Sequence, residues 1–321
     1  MKRLRVAVVG AGVMGKHHAN IYAALPHVDF VAVVDPKRDN RLEAQTRHAV
    51  SAYDTLEELL AQQTIDAVSL AAPTSLHYRL TKQLLTAGIH VLVEKPVATS
   101  VAEAQELAAL SRELGLILQV GHITRFYRAT ELLREQVSQP YLIEARRLSP
   151  YARIKDVGVI LDLMIHDIDI VLGLVAAPVR DLSVAGHVVN GSPHEDVAAA
   201  QIVFENGCIA RFLASRIAPD AERTLVVAEA ARTIRLDFAK EPHTEIATYR
   251  SLPEELGGGH IQMDLRTVHE DNPLRKELEH FLSRIRGATE PIGTLEDDLR
   301  SLSLATRLID ELKLSKALQP V

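Results

Sequence analysis

A lysine at a strand end, a histidine one helical turn from an aspartate, and three glycines in six residues are the parts of this chain whose types and spacing suit chemistry. The glycines stand in Gly10-Ala11-Gly12-Val13-Met14-Gly15, directly after the apolar run Leu4–Val9. In such a turn the first glycine makes the bend, the second lets backbone approach a pyrophosphate, and the third lets a helix pack closely on a strand. A helix opening near Met14, just after Val13, points its free N–H groups and positive dipole end at phosphate. A second apolar run ends at Asp35, about twenty residues beyond Gly15, where a carboxylate accepts hydrogen bonds from an adenosine ribose. Its charge repels a 2′-phosphate and favours NAD, while Lys37 and Arg38 follow at once and keep NADP open. The plainer alternative is a tight βα turn that binds nothing.

The lysine is Lys95, in Glu94-Lys95-Pro96 after the apolar run Val91-Leu92-Val93. Ligands of open α/β sheets sit beyond the carboxyl ends of the strands, so Lys95 falls where a substrate meets a cofactor. A partly desolvated amine there polarises a hydroxyl as its oxygen becomes a carbonyl. Pairing with a strand-end carboxylate is the competing role. For the bond to Pro96, base rates favour trans.

The histidine is His166. Asp162, His166 and Asp169 fall at i, i+4 and i+7, which at about 100° per residue is one narrow stripe of a helix. Leu161, Met164, Ile165, Ile168 and Leu172 lie off that stripe and can be buried. A histidine one turn from a carboxylate has a fixed ring, a chosen tautomer and a stabilised imidazolium, as a general base near neutral pH requires. The same spacing also suits zinc or manganese, or a buried structural polar cluster. No further histidine–carboxylate ligand pair is near in sequence, so no metal is expected.

Positioning these groups takes alternating strands and helices. Leu4–Val9, Val28–Val34, Ile65–Leu70, Ile89–Val93 and Leu116–Val120 read as strands, with helices over Met14–Ala24, Leu76–Ala87 and Val101–Leu114. Continuous apolar strands joined by helices imply an α/β domain with a doubly wound parallel sheet of Rossmann type. From Pro140 the pattern changes. Tyr141–Ser149, Leu182–Val189, Val197–Phe204, Cys208–Ser215, Thr224–Ala228 and Thr233–Phe238 read as strands, and Asn206-Gly207 signals a hairpin. That part is expected to be α+β with a largely antiparallel open sheet, one face of which is left for a partner subunit. Gly257-Gly258-Gly259 falls in a loop, Pro273 opens a helix ending near Gly287, and Thr294 with Asp297 caps the last helix.

A chain of 321 residues exceeds what one hydrophobic core usually supports. The expected division is residues 1–122 for dinucleotide binding and 123–321 for substrate binding and oligomerisation, with the last helix packing back on the first domain. With 36 basic and 42 acidic residues and a net charge of −6, the chain lacks the footprint of a nucleic-acid binder. The single cysteine, Cys208, excludes an internal disulfide framework and multi-cysteine metal sites. The apolar stretch Val157–Val179 carries Asp162, His166, Asp167 and Asp169, too costly for lipid, so no membrane partner is expected and the cytoplasm is the expected compartment. Arg125, Arg128, Arg146, Arg147, Arg153, Lys155 and Arg216 are candidate donors to a diphosphate, against an ordinary ion-pair role for each; Arg125 and Arg153 are preferred.

Taken together, these residues resemble the glucose–fructose oxidoreductase / inositol dehydrogenase / MocA (Gfo/Idh/MocA) family. The resemblance rests on Gly10-x-Gly12-x-x-Gly15 with His18, Asp35-Pro36, Ala72-Pro73-Thr74-Ser75-Leu76-His77, Glu94-Lys95-Pro96 and Asp162-x-x-x-His166, and covers nearly the whole chain. It implies a catalytic group of Lys95 and His166 with Asp162 orienting, and a dinucleotide bordered by Pro73, Thr74, His77, Glu94 and Lys95. Val120–Phe126, Ile143–Pro150 and Leu161–Asp169 look like the branch that oxidises the 3-hydroxyl of UDP-N-acetylglucosamine, whose keto product serves amino-sugar and lipid A synthesis; Thr124 and Tyr127 depart from the glutamate and asparagine expected there. His122, Arg125, Arg153 and Asp169 are then the substrate candidates, NAD the cofactor, and a homodimer or homotetramer the assembly. A dehydrogenase of a free polyol or aldose, and a dinucleotide-binding sensor without turnover, are the alternatives.

Overall fold

The structure, a computed structural model, describes residues 3–150, 156–189, 191, 193–240, 242–251 and 261–314. Arg153, Lys155 and Gly257-Gly258-Gly259 lie outside the described residues. The chain divides into two compact units, Met1–Ile123 with Leu274–Leu299, and Thr124–Pro273 with Arg300–Val321.

The first unit alternates β1 (Leu4–Val9), α1 (Val13–Ala24), β2 (Val28–Val34), α2 (Arg38–His48), β3 (Ser51–Tyr53), α3 (Leu56–Gln62), β4 (Ala67–Leu70), α4 (Thr74–Thr86), β5 (His90–Glu94), α5 (Val101–Glu113) and β6 (Leu118–Gly121). The strands form a parallel sheet in the order β3-β2-β1-β4-β5-β6. Val6, Ala7, Val8, Val68, Val91, Leu92 and Val93 are wholly buried, as apolar runs must be when helices cover both faces. The sequence reading anticipates β1 and β2 at these bounds but not α2, β3 and α3. The segment Arg38–His48 is strongly polar, and of its apolar residues Leu42 is exposed and Ala44 buried, so no apolar stripe marks it.

In the second unit come α6 (Arg128–Gln136), β7 (Leu142–Leu148), a π-helical turn over Ile160–Met164 continuing into α7 (Ile165–Leu174), then β8 (Val179–His187), β9 (Val197–Phe204), β10 (Ile209–Ser215), β11 (Glu222–Glu229), β12 (Arg232–Asp237), β13 (His243–Ser251) and β14 (Ile261–His269). Its sheet runs β14-β13-β12-β11-β7-β10-β9-β8, and every pairing is antiparallel except β7 with β10. The strands β13 and β14 extend the sheet beyond the anticipated set; alternation of Ile261, Met263 and Leu265 is the signal that marks β14. Among the described residues no helix is long and apolar enough to cross a membrane.

The helix α8 (Pro273–Ile285) returns to the first unit. Its Leu278, Phe281 and Leu282 are buried with Val6, Val8, Tyr22, Val33 and Leu92 in one core cluster. The last helix, α9 (Leu295–Leu314), counts with the first unit only as far as Leu299. Its start is a reciprocal cap: Thr294 N–H donates to Asp297 Oδ2 at 2.9 Å, and Asp297 N–H to Thr294 Oγ1 at 3.2 Å.

Because Phe281 is wholly buried, Phe281→Ala is expected to destabilise the first unit by about 3–5 kcal/mol. Urea denaturation followed by circular dichroism checks this.

Candidate functional site

In the first unit three loops leave adjacent strands at one edge of the sheet: the glycine turn after β1, Ala71–Pro73 after β4, and Glu94-Lys95-Pro96 after β5. Strand order reverses between β1 and β4, the switch point where such sheets bind ligands. A side chain at Gly10 (φ +90°) would lie 2.6 Å from the carbonyl of Ala71, and one at Gly15 would lie 1.7 Å from the Gly10 oxygen. The backbone of the loop after β4 therefore excludes a side chain at Gly10, and the β1–α1 turn itself excludes one at Gly15. At Gly12 a Cβ would meet nothing within 4 Å.

The open space above Gly12 faces the start of α1, which has no side-chain cap. Gly12 and Pro73 precede α1 and α4 without giving a side-chain cap, and neither first turn carries an acidic residue. The first N–H groups of a helix lack intrahelical acceptors, so two such starts on one sheet edge fit an anion. Asp35, at the end of β2, is buried and accepts from Ala11 N–H and Lys37 N–H, each at 2.8 Å. That fixes the carboxylate while lone pairs remain for ribose hydroxyls. Val13 and Met14 are exposed beside the turn, and so are Lys37 and Arg38 beyond Asp35. The donor set thus suits a dinucleotide: an uncapped helix start for phosphate and a fixed carboxylate for ribose.

Lys95 is half-buried, and its turn is held from both sides. His77 is buried with Nδ1 2.7 Å from the Pro96 oxygen and Nε2 2.9 Å from the Ala72 oxygen, bridging the loop after β4 to the turn after β5. Thr74, next to it on α4, is also buried. The Lys95–Pro96 bond is cis, where base rates favour trans. Glu94 Oε1 lies 3.0 Å from Nε2 of the fully buried His18. Burial alone would push the Glu94 carboxyl up; the His18 hydrogen bond and the charges of His18, Lys95 and His77 outweigh it and hold the group below the usual carboxylate range. His122, after β6, is buried with Nε2 3.7 Å from Asp298 Oδ1.

In the second unit Asp162 belongs to the π-helical turn and His166 to the first turn of α7. Asp162 is buried and His166 less so. The extra residue in that turn departs from the uniform 100° winding used to align Asp162, His166 and Asp169. Asp169 is buried against Arg125, whose Nε donates at 2.9 Å, and against Ser301 Oγ at 3.1 Å. Asp167 takes Arg147 Nη2 at 2.7 Å. Burial works against the Arg147 charge, and the carboxylate of Asp167 more than restores it, raising the group.

The other described arginines of the basic group also meet carboxylates: Arg128 with Glu131 at 3.0 Å, Arg146 with Glu222 at 2.8 Å and Arg216 with Asp196 at 2.6 Å. Arg153 lies outside the described residues. Glu195, Asp196 and Glu270 carry no sequence motif, yet they cap or anchor the helices of this unit. Glu270 accepts from Arg128 N–H at 2.6 Å and Ala129 N–H at 3.2 Å at the start of α6.

Two family profiles match the chain: an oxidoreductase family NAD-binding Rossmann fold over residues 4–122, and the GFO/IDH/MocA C-terminal domain over residues 117–235. The UDP-N-acetylglucosamine 3-dehydrogenase of Acidithiobacillus ferrooxidans is 32% identical over 291 residues, 89% of this chain and 90% of the relative. A solved structure of the enzyme of that name from the same organism superposes with a TM-score of 0.86 at 29% identity, covering 98% of this chain and 99% of the other. The scyllo-inositol 2-dehydrogenase (NAD(+)) of Bacillus subtilis is 26% identical over 313 residues, 91% of this chain and 89% of the relative.

Glu94 also gives the first unit an acid limit. A carboxyl held low in the fold contributes stability above its unfolded pKa, and that contribution is lost as pH falls through the folded value. Stability is therefore expected to drop on acidification below the ordinary carboxylate range. Glu94→Gln is expected to give a flatter acid limb in chemical denaturation at stepped pH.

Proposed function

Because the chain belongs to the glucose–fructose oxidoreductase/inositol dehydrogenase/MocA family of NAD(P)-dependent oxidoreductases, we propose that it uses NAD to oxidise the 3-hydroxyl of UDP-N-acetylglucosamine to a ketone. The substrate rests on one observation: the 32% identity to a UDP-N-acetylglucosamine 3-dehydrogenase over 89% of this chain. The product is a 3-keto sugar nucleotide, ready for an aminotransferase that makes a 3-amino sugar for lipid A.

A bound nicotinamide dinucleotide supplies the acceptor for the two electrons and the carbon-bound hydrogen of the alcohol. Gly10, Gly12, Val13, Met14 and Gly15 give the pyrophosphate a backbone seat, and Asp35 takes the ribose hydroxyls. Pro73, Thr74, His77 and Glu94 shape the remaining border. His166 accepts the hydroxyl proton, Lys95 stabilises the developing alkoxide, and Asp162 holds the His166 ring in its working tautomer. Among the substrate residues, His122 and Arg153 are read as sugar-nucleotide contacts, while Arg125 and Asp169, expected beside them, are buried and bonded to each other. Asp35 favours NAD over NADP through repulsion of the 2′-phosphate.

The setting read for this enzyme is the cytoplasm, in accord with one cysteine and no possible internal disulfide. The assembly read for it is a homodimer or homotetramer. Ile261, Met263 and Leu265 alternate along β14 at 70%, 56% and 56% exposure, apolar surface of the kind a subunit contact covers.

A free polyol is the second reading, favoured by the match to an inositol dehydrogenase along 91% of this chain. Thermal shift separates the two: UDP is expected to raise the melting temperature and inositol to leave it unchanged, and the reverse moves the assignment to a polyol. Mixing protein, NAD and UDP-N-acetylglucosamine is expected to yield a sugar nucleotide lighter by two hydrogens in mass spectrometry. Lys95→Ala and His166→Ala are each expected to cut turnover by about 10²-fold or more, with NADH binding by fluorescence titration retained. Loss of NADH binding in both variants would overturn the roles assigned to them.

A further inference from the structure

The segment that carries Asp162 and His166 starts without a local cap, because Val159 offers the π-helical turn no side-chain hydrogen bond. Its first N–H groups are met from the β9 side of the unit. Glu195 Oε1 accepts from Ile160 N–H at 3.0 Å, and the Glu195 carbonyl accepts from Val159 N–H at 3.1 Å. The next residue, Asp196, is wholly buried and takes Arg216 Nε at 2.6 Å, while Arg216 Nη1 donates to the Val157 carbonyl at 2.9 Å. The pair Glu195-Asp196 thus grips residues 157–160 through a side chain, a carbonyl and an intervening arginine.

Gly158 makes the grip tight. A Cβ there would lie 2.0 Å from Glu195 Oε1, so the carboxylate occupies the space a side chain would need. Glu195 is 5% exposed, and burial pushes its carboxyl up. A π-helical turn has poorer intrinsic support than α-helix and recurs at functional sites. Relaxing its extra residue into α-helix would rotate Asp162 by about 100° relative to His166. The grip covers residues 157–159 and the first residue of that turn, Ile160, where it can prevent the slip.

We propose that Glu195 is a positioning residue: seated against Gly158 and bonded to Ile160 N–H, it fixes the register of the π-helical turn and so aims Asp162 and His166. The proposal rests on the reading of His166 as the proton acceptor. It assigns Glu195 no contact with substrate or cofactor.

Three variants of the full chain test it: Glu195→Ala, Glu195→Gln and Gly158→Ala. Glu195→Ala is expected to lower kcat about tenfold or more, shift the acid limb of the kcat–pH profile, and leave NAD affinity unchanged. Glu195→Gln keeps an acceptor for Ile160 N–H and is expected to restore kcat to within about threefold of wild type. Gly158→Ala, which displaces the Glu195 side chain, is expected to behave as Glu195→Ala does. Should Glu195→Ala not fold, Glu195→Asp, one methylene short of Ile160, takes its place with the same expected result.

A variant that melts earlier yet keeps wild-type kcat and pH profile would make Glu195 a stability residue only and overturn the proposal. A readout independent of the substrate is the His166 imidazole titration, followed by NMR and identified with His166→Gln. It is expected to move in Glu195→Ala and return in Glu195→Gln, and an unmoved titration overturns the proposal. Absence of turnover by the wild type on any sugar overturns the functional reading instead, and the NMR result then decides the role of Glu195 alone.

Discussion

Burying an ionised aspartate costs several kcal/mol unless a cation and further donors meet it, and removing one partner of such a pair costs about 3–5 kcal/mol. The apolar helix α7 buries two, Asp167 and Asp169, and meets them with Arg147 and Arg125. Just before β9, Asp196 holds Arg216, and through it the backbone at Val157. In the first unit Glu94 bonds His18 and feels the charge of Lys95. On the proposed reading these charges hold the backbone that presents His166 in one unit and Lys95 in the other. These pairs give orientation at little net gain in stability, because desolvation offsets most of the attraction.

That constraint explains what the amino-acid string reveals. The apolar runs of β1, β2 and β9 are local signals, and their bounds agree with the structure. The glycine turn, Asp35 and Lys95 follow from strand ends, because a parallel sheet puts every loop of one edge on the same side. The cap of α9 is legible as well, since Thr294 and Asp297 are three residues apart. The caps of α6 and of the π-helical turn come from Glu270 and Glu195, remote in sequence from the helices they serve, and no period or spacing announces them.

The arginines show the same limit from the other side. A string displays Arg125, Arg147 and Arg216 as free cations suited to a diphosphate, and folding supplies each with an aspartate. Pairing between remote positions is a property of the fold, whereas the propensity of a run of valines is a property of the run. The π-helical turn is likewise invisible, since its apolar residues satisfy an α-helical pattern equally well.

In the proposed reaction hydrogen leaves a sugar carbon while His166 takes the hydroxyl proton. Oxidation of UDP-N-acetylglucosamine deuterated at C3, with NAD and the mass of both products followed, tests it most directly. Deuterium is expected in the reduced dinucleotide, with no transfer above background in His166→Ala. Deuterium retained in the sugar or lost to water during turnover would contradict it.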